Sequence, residues 1–186
     1  MVKRYLVMLM LGCFALMAVG CCPITKLNIT VDMDENLRNQ LGSRMLNLDI
    51  VALTPDESER HINDSMTQYW EKDDALRNSF KGRMITLTLD PRRPGSQTVW
   101  ASDPVWNRWL KGSNEKEPPL VYVFAQLPGL WGPDKDKKGD EDPRRLILPT
   151  ASCRWDNSAG MPPNVKILVT PDGLVTQTQQ TRDKAK

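Results

Sequence analysis

From residue 21 onward the most apolar stretch is LVYVFAQL (120–127), where apolar side chains fill successive positions. A strand apolar on both faces needs cover on both sides, which places it inside a sheet rather than at an edge. The other runs alternate. LNITVDM (27–33) sets Leu27, Ile29, Val31 and Met33 on one face and Asn28, Thr30 and Asp32 on the other. MLNLDIVAL (45–53) turns Leu46, Leu48, Ile50 and Ala52 inward and Asn47 and Asp49 outward. RMITLTLD (83–90) opposes Ile85, Leu87 and Leu89 to threonines. Each such run buries one face. RLILP (145–149) and the terminal hairpin VKILV-TPDG-LVTQT (165–178) bring the total to about seven short strands, with SQTVWA (96–101) as a candidate for one more. Fourteen prolines and eleven glycines punctuate the chain too often for a helical bundle. The pattern predicts an antiparallel β-sandwich with one or two short helices.

The connections are polar. DENLRNQLGSR (34–44) reads as a turn-rich link. Residues 56–82 read as irregular and partly helical, with N-caps at Asn63 or Asp64 and at Asp73, closing at Gly82. DPVWNRWLKG (103–112) is a short helix with Asp103 as cap, Pro104 at N1 and Gly112 as stop; Trp106, Trp109 and Leu110 share its core face. WGPDKDKKGDEDPRR (131–145) carries both signs of charge and reads as a solvated, mobile loop. Residues 179–186 read as a disordered tail.

The N-terminus obeys different rules. Lys3 and Arg4 precede the continuously apolar YLVMLMLGCFALMAV (5–19), and Pro23 ends any extension. A basic start followed by about 15 apolar residues is the plan of a secretory signal and is short for a transmembrane helix. The run closes on Ala18-Val19-Gly20-Cys21, which resembles the lipobox of bacterial lipoproteins. The resemblance implies cleavage after Gly20, thioether attachment of diacylglycerol to Cys21 and acylation of the new N-terminus. Two or three acyl chains anchor a protein stably where one does not. Cys13 is a poorer candidate, with only Tyr5 to Leu11 before it. Cys22 follows Cys21 where aspartate would signal inner-membrane retention, so in a diderm host the expected place is the outer membrane, facing the periplasm. The expected organisation is a signal peptide at 1–20, a lipidated tether at 21–26, a sandwich domain at 27–178 and the tail at 179–186. Lys3 and Arg4 account for the whole excess of the 25 basic over the 23 acidic residues, so the chain from Cys21 onward is formally neutral. Nothing in that balance points to nucleic acid.

Chemistry is sparse. His61 is the single histidine, lies in the polar stretch ESERHINDS and reads as an exposed loop residue; multi-histidine metal sites are excluded. Asp73-Asp74, Glu57 with Glu59, and the acids from Asp134 to Asp142 read as solvated surface. There is no P-loop and no dinucleotide fingerprint. No catalytic residue, metal or cofactor is expected. With Cys21 acylated, Cys22 and Cys153 remain as an even pair that an oxidising envelope would let bridge, closing a loop of about 130 residues worth a nominal ~4–5 kcal/mol of chain entropy; the other reading is a buried Cys153 and a free Cys22. Of six tryptophans, Trp131 beside the charged loop and Trp100 at a strand end are the candidates for a binding surface.

The order of these features resembles the small outer-membrane lipoprotein family of the type VI secretion system. The resemblance is carried by LRNQLGSR, with Asn39 and Gly42 between two alternating strands, by MLNLDIVAL as second strand, by LDPRRPGSQTVW as a strand followed by a Pro-Gly turn, and by LVYVFAQLPGLW as the apolar central strand. It implies a lipid-anchored, transthyretin-like β-sandwich without enzymatic activity, docking a protein partner in the envelope through loops at one end. The alternative expectation is a lipid-anchored glycan or peptidoglycan binder that stacks sugars on Trp131 or Trp100.

Overall fold

The computed structural model describes residues 23–113, 116–130, 132–155 and 163–178. Two four-stranded sheets face each other. In chain order the elements are β1 (Asn28–Met33), α1 (Glu35–Leu41), β2 (Leu46–Leu53), α2 (Pro55–His61), α3 (Met66–Tyr69), α4 (Ala75–Phe80), β3 (Ile85–Leu89), β4 (Gln97–Val99), α5 (Val105–Trp109), β5 (Leu120–Ala125), β6 (Arg145–Pro149), β7 (Asn164–Thr170) and β8 (Gly173–Thr176). The first sheet has the order β4-β1-β7-β8 and the second β3-β2-β5-β6. The sandwich is as the alternation predicts, with eight strands among the described residues, the candidate segment SQTVWA supplying β4. One pairing departs from the antiparallel expectation: β1 and β7 run parallel, Ile29 opposite Val165 and Val31 opposite Ile167. They lie over a hundred residues apart, and no local pattern encodes their relative direction.

The alternating faces meet in the middle. Leu27, Ile29 and Val31 from the first sheet and Leu48, Ile50, Val121 and Val123 from the second are fully buried in one core, which Trp106 and Trp109 of α5 plug from the side. Both indoles are tied down: Trp106 Nε1 donates to Trp100 O at 3.0 Å and Trp109 Nε1 to Arg83 O at 2.5 Å. Asp103 does not cap α5. Its Oδ2 accepts from Trp100 N at 2.7 Å and so shapes the turn before the helix.

β5 is interior, between β2 and β6, and buried on both faces. Its outer face is covered by α2–α4. Val51, Leu53, Tyr122 and Phe124 pack there against Met66, Tyr69, Trp70 and Phe80 in a second apolar cluster. This cover buries Asp49, which alternation alone places in solvent. Its carboxylate accepts from Tyr69 Oη (3.0 Å), Arg77 Nε (2.7 Å) and Thr86 Oγ1 (2.6 Å). Burial, followed by the neighbouring Asp49 charge, pushes the Tyr69 hydroxyl far above its usual pKa, so it remains a donor.

The insert is more regular than its composition suggests. Thr54 and Glu57 form a reciprocal capping box at α2, with Pro55 in the first turn. Glu57 is also held by both Arg83 nitrogens, at 2.6 and 3.0 Å. The caps of α3 and α4 are Ser65 and Asp74, not the expected Asn63 or Asp64 and Asp73. Residues 34–44 are not a turn-rich link: Asp34 caps α1, Leu37 and Leu41 bury one helical face, and Gly42 ends it at φ +62°.

The far hairpin closes against the other sheet at Gly173. This glycine has φ +144°, and a Cβ there would lie 2.6 Å from Pro143 Cβ and O. Gly173→Ala therefore combines an unfavourable backbone with a backbone clash, and should cost about 2 kcal/mol or more in urea-melt stability. Gly82→Ala, where nothing lies within 4 Å of the added methyl, should stay within about 0.5 kcal/mol of the parent.

Candidate functional site

The sandwich has two distinct poles. The near pole gathers where the chain leaves residues 21–22. Ile24 forms an antiparallel bridge with Ala151, flanked by hydrogen bonds from Thr25 N to Thr150 O (2.8 Å) and from Ser152 N to Pro23 O (2.9 Å). The expected tether is thus a paired strand end as far as Pro23. Lys26 Nζ reaches Asn107 Oδ1 of α5 at 3.1 Å, and Asn28 joins the starts of β1 and β7 through Asn164 Oδ1 at 2.9 Å. Asn28 Oδ1 also accepts from Ala101 N at 2.8 Å, so Trp100 belongs to this pole.

Of the residues expected to bind, Trp100 is described and is 56% exposed. Trp131 lies outside the described residues, as do Cys21, Cys22, the leader 1–20 and the tail 179–186. Cys153 is described and is disulfide-bonded. No helix among the described residues is long and apolar enough to cross a membrane.

The far pole lies at the opposite end of β1. Asp34 N bonds Val169 O there, and α1 packs over the strand ends. Three adjoining grooves open on this pole: Met33, Met45 and Arg93 line one, Leu37, Arg44 and Pro171 a second, and Leu41, Met45 and Pro128 a third. Met45 is 45% exposed. Its neighbour Arg38 is fixed by Asp32 Oδ1 at 2.6 Å and Met33 O at 2.9 Å. The alternation pattern gives no sign of this surface, since α1 builds it.

The charged loop at 132–145 is anchored, contrary to the expectation of a solvated, mobile segment. Asp142 and Arg144 are almost fully buried. Arg144 Nη2 meets Asp142 Oδ2 at 2.7 Å and Asp136 Oδ1 at 2.5 Å, and Nη1 donates to Leu130 O at 2.7 Å. Asp136 also accepts from Ser65 Oγ and from Thr67 N (3.0 Å), which fastens the loop to the start of α3. Arg145 adds bonds to the carbonyls of Ile62, Asp64 and Gly139. The like-for-like mixture of Lys and Asp in the sequence hides which charges pair inward.

Little here resembles catalytic machinery. His61 is not a loop residue; it ends α2, half-buried, with Nδ1 2.8 Å from Asp64 Oδ2 and its ring edge-on to Phe80. Among the described residues no group of three or more His, Cys, Asp or Glu side chains is arranged to hold a metal.

No family model matches the chain, and no curated protein matches it significantly. Solved structures do. The neighbours include components of the type VI secretion system. Serratia marcescens Lip, a membrane-bound component of the type VI secretion system, is 13% identical over 84% of this chain and 99% of its own, with a TM-score of 0.45. TssJ1 of Pseudomonas aeruginosa, a type VI lipoprotein, is 13% identical over 86% and 100%, with a TM-score of 0.47. A chain of a type VI membrane complex is 15% identical over 83% and 98%, with a TM-score of 0.48. At such identities the likeness says nothing about partners or activity.

The Arg144 cluster makes stability depend on acid. Burial alone would raise the pKa of Asp142, but hydrogen bonds from Arg144 and from the backbone of Lys137 and Arg144 outweigh it and hold the group below the ordinary carboxylate range. Asp136 is lowered in the same way, with Ser65, Arg144 and Thr67 overcoming burial. A depressed carboxylate contributes stability that is present above its unfolded pKa, about 4, and lost as pH falls through the lower folded value. Urea midpoints should therefore drop steeply below about pH 4. Asp142→Asn should lower the neutral-pH plateau by about 3 kcal/mol and flatten that acid slope.

Proposed function

We propose that the chain is a non-enzymatic, lipid-anchored component of the bacterial envelope that docks a protein partner, as the outer-membrane lipoprotein of a type VI-like secretion apparatus. The anchor is diacylglycerol on Cys21, and the sandwich faces the periplasm. The observation that carries the reading is the relation of the lipobox to the fold: Gly20-Cys21 falls two residues before Pro23, where the chain is already paired to the sandwich. A lipid placed there holds the near pole at the membrane and leaves the far pole, with its grooves and exposed Met45, turned toward the periplasm.

An apolar side chain held among grooves is what a protein contact uses, because burying it gains free energy without desolvating a charge. The glycan-binding alternative rests on Trp100 among the described residues. Trp100 stands at the near pole and lines none of the three grooves, so protein docking at the far pole is the reading the geometry supports best.

Cys21→Ser should move the protein from the membrane pellet to the soluble fraction and abolish palmitate labelling. A variant that stays in the pellet after a salt wash contradicts the anchor. Met45→Asp should leave membrane association intact and weaken co-purification of the partner at least tenfold, the effect of losing one buried apolar contact of about 1.4 kcal/mol or more.

A further inference from the structure

The pairing of the tether with the segment after β6 bears on the partner of Cys153. Ile24 stands opposite Ala151, and the two flanking bonds run from Thr25 N to Thr150 O and from Ser152 N to Pro23 O. The Ser152–Pro23 bond brings the chain neighbour of Cys153 against the chain neighbour of Cys22. Each cysteine is one peptide unit of ~3.8 Å from a member of that bonded pair, which brings the two within reach of the Cα separations a disulfide spans. Cys21 is one residue further from the pair and is the residue the lipobox assigns to acylation. Beyond Ser152 the pairing ends, because Ser152–Arg154 turns into a short 3-10 helix. Cys153 is itself disulfide-bonded.

We infer that Cys22 is the residue bridged to Cys153, and that this bridge fastens the acylated N-terminus to the body of the sandwich. Two S–H bonds break and one S–S bond forms. The two protons and two electrons pass to a protein disulfide of the envelope's thiol-oxidising machinery, which is reduced to two thiols. The consequence is mechanical, and it rests on the acylation of Cys21. Without the bridge, residues 21–26 could extend ~20 Å from the fold if their pairing opened. With it, one peptide unit of ~3.8 Å separates the lipid-bearing residue from a residue covalently fixed to the sandwich. The near pole and its exposed Trp100 then lie at the headgroup layer, where an indole is favoured. Cys22 thereby acts as a buckle that sets orientation rather than as a spare thiol.

The test is a peptide map of the full-length protein extracted from membranes in detergent, alkylated and digested with trypsin before any reduction. The expected result is fragment 146–154, which holds Cys153, joined to fragment 21–26 and released by reduction. Fragment 146–154 alkylated without reduction, or joined to a fragment containing Cys13, overturns the inference. Acyl mass on fragment 21–26 is read in the same experiment, so loss of the bridge and loss of the anchor are told apart. Cys22→Ser and Cys153→Ser should each accelerate cleavage after Lys26 in limited proteolysis severalfold and to the same extent, and the double variant should be no faster. Unequal or additive rates count against the pairing.

Discussion

The structure depends on the burial of the β2–β5 pair from both sides. Sheet-against-sheet packing would satisfy the inner face alone, through Leu48, Ile50, Val121 and Val123. The outer face carries Val51, Leu53, Tyr122 and Phe124, and these need the helical insert over them. At roughly 1.5–3 kcal/mol for each large apolar side chain removed from water, that second layer matters to a domain whose net stability is about 5–15 kcal/mol. The polar interior follows from it. Once the insert covers the sheet, Asp49 must be satisfied, and Tyr69, Arg77 and Thr86 do so. Tyr122 likewise finds Ser58 Oγ at 2.7 Å. An unpartnered carboxylate there would cost more than the apolar contacts around it return.

The same insert organises the charged loop. Ser65 and Thr67 at the start of α3 hold Asp136, and Asp136 with Asp142 neutralises the buried Arg144. Removing one member would strand a charge in a low-dielectric site, while the intact set is close to self-compensating. The loop is thus part of the body on the side of the β5–β6 edge. The two poles remain as the accessible ends, one closed by the N-terminal segment and α5, the other built by α1 and the turns around Pro128 and Pro171.

Much of the fold was legible because the core strands alternate. Leu27-Ile29-Val31-Met33 and Leu46-Leu48-Ile50-Ala52 are buried as period two requires, and LVYVFA is interior because neither of its faces tolerates water. The helices were less legible although their signals were present. Asp34 followed by Leu37, Leu41 and Gly42 is a complete start-and-stop pattern, and Thr54-Pro55 followed by Glu57 a complete start, in short segments that polar composition disguises as loops. Asp49, Asp142 and Arg144 were out of reach, since a charged side chain declares its burial only when its partners, up to dozens of residues away, are known. The parallel β1–β7 pairing has the same origin. The lipobox, in contrast, is wholly local and lies outside the described residues, which begin at Pro23 with the pairing of Pro23–Thr25 to Thr150–Ser152.

The central claim is that this sandwich hangs from the membrane by Cys21, two residues before its first paired segment. The most direct measurement is the intact mass of the protein purified from membranes. The account predicts a chain beginning at Cys21 and heavier than residues 21–186 by a diacylglyceryl group and an N-linked acyl chain. A chain that retains Met1, or that begins elsewhere and carries no lipid, would contradict it.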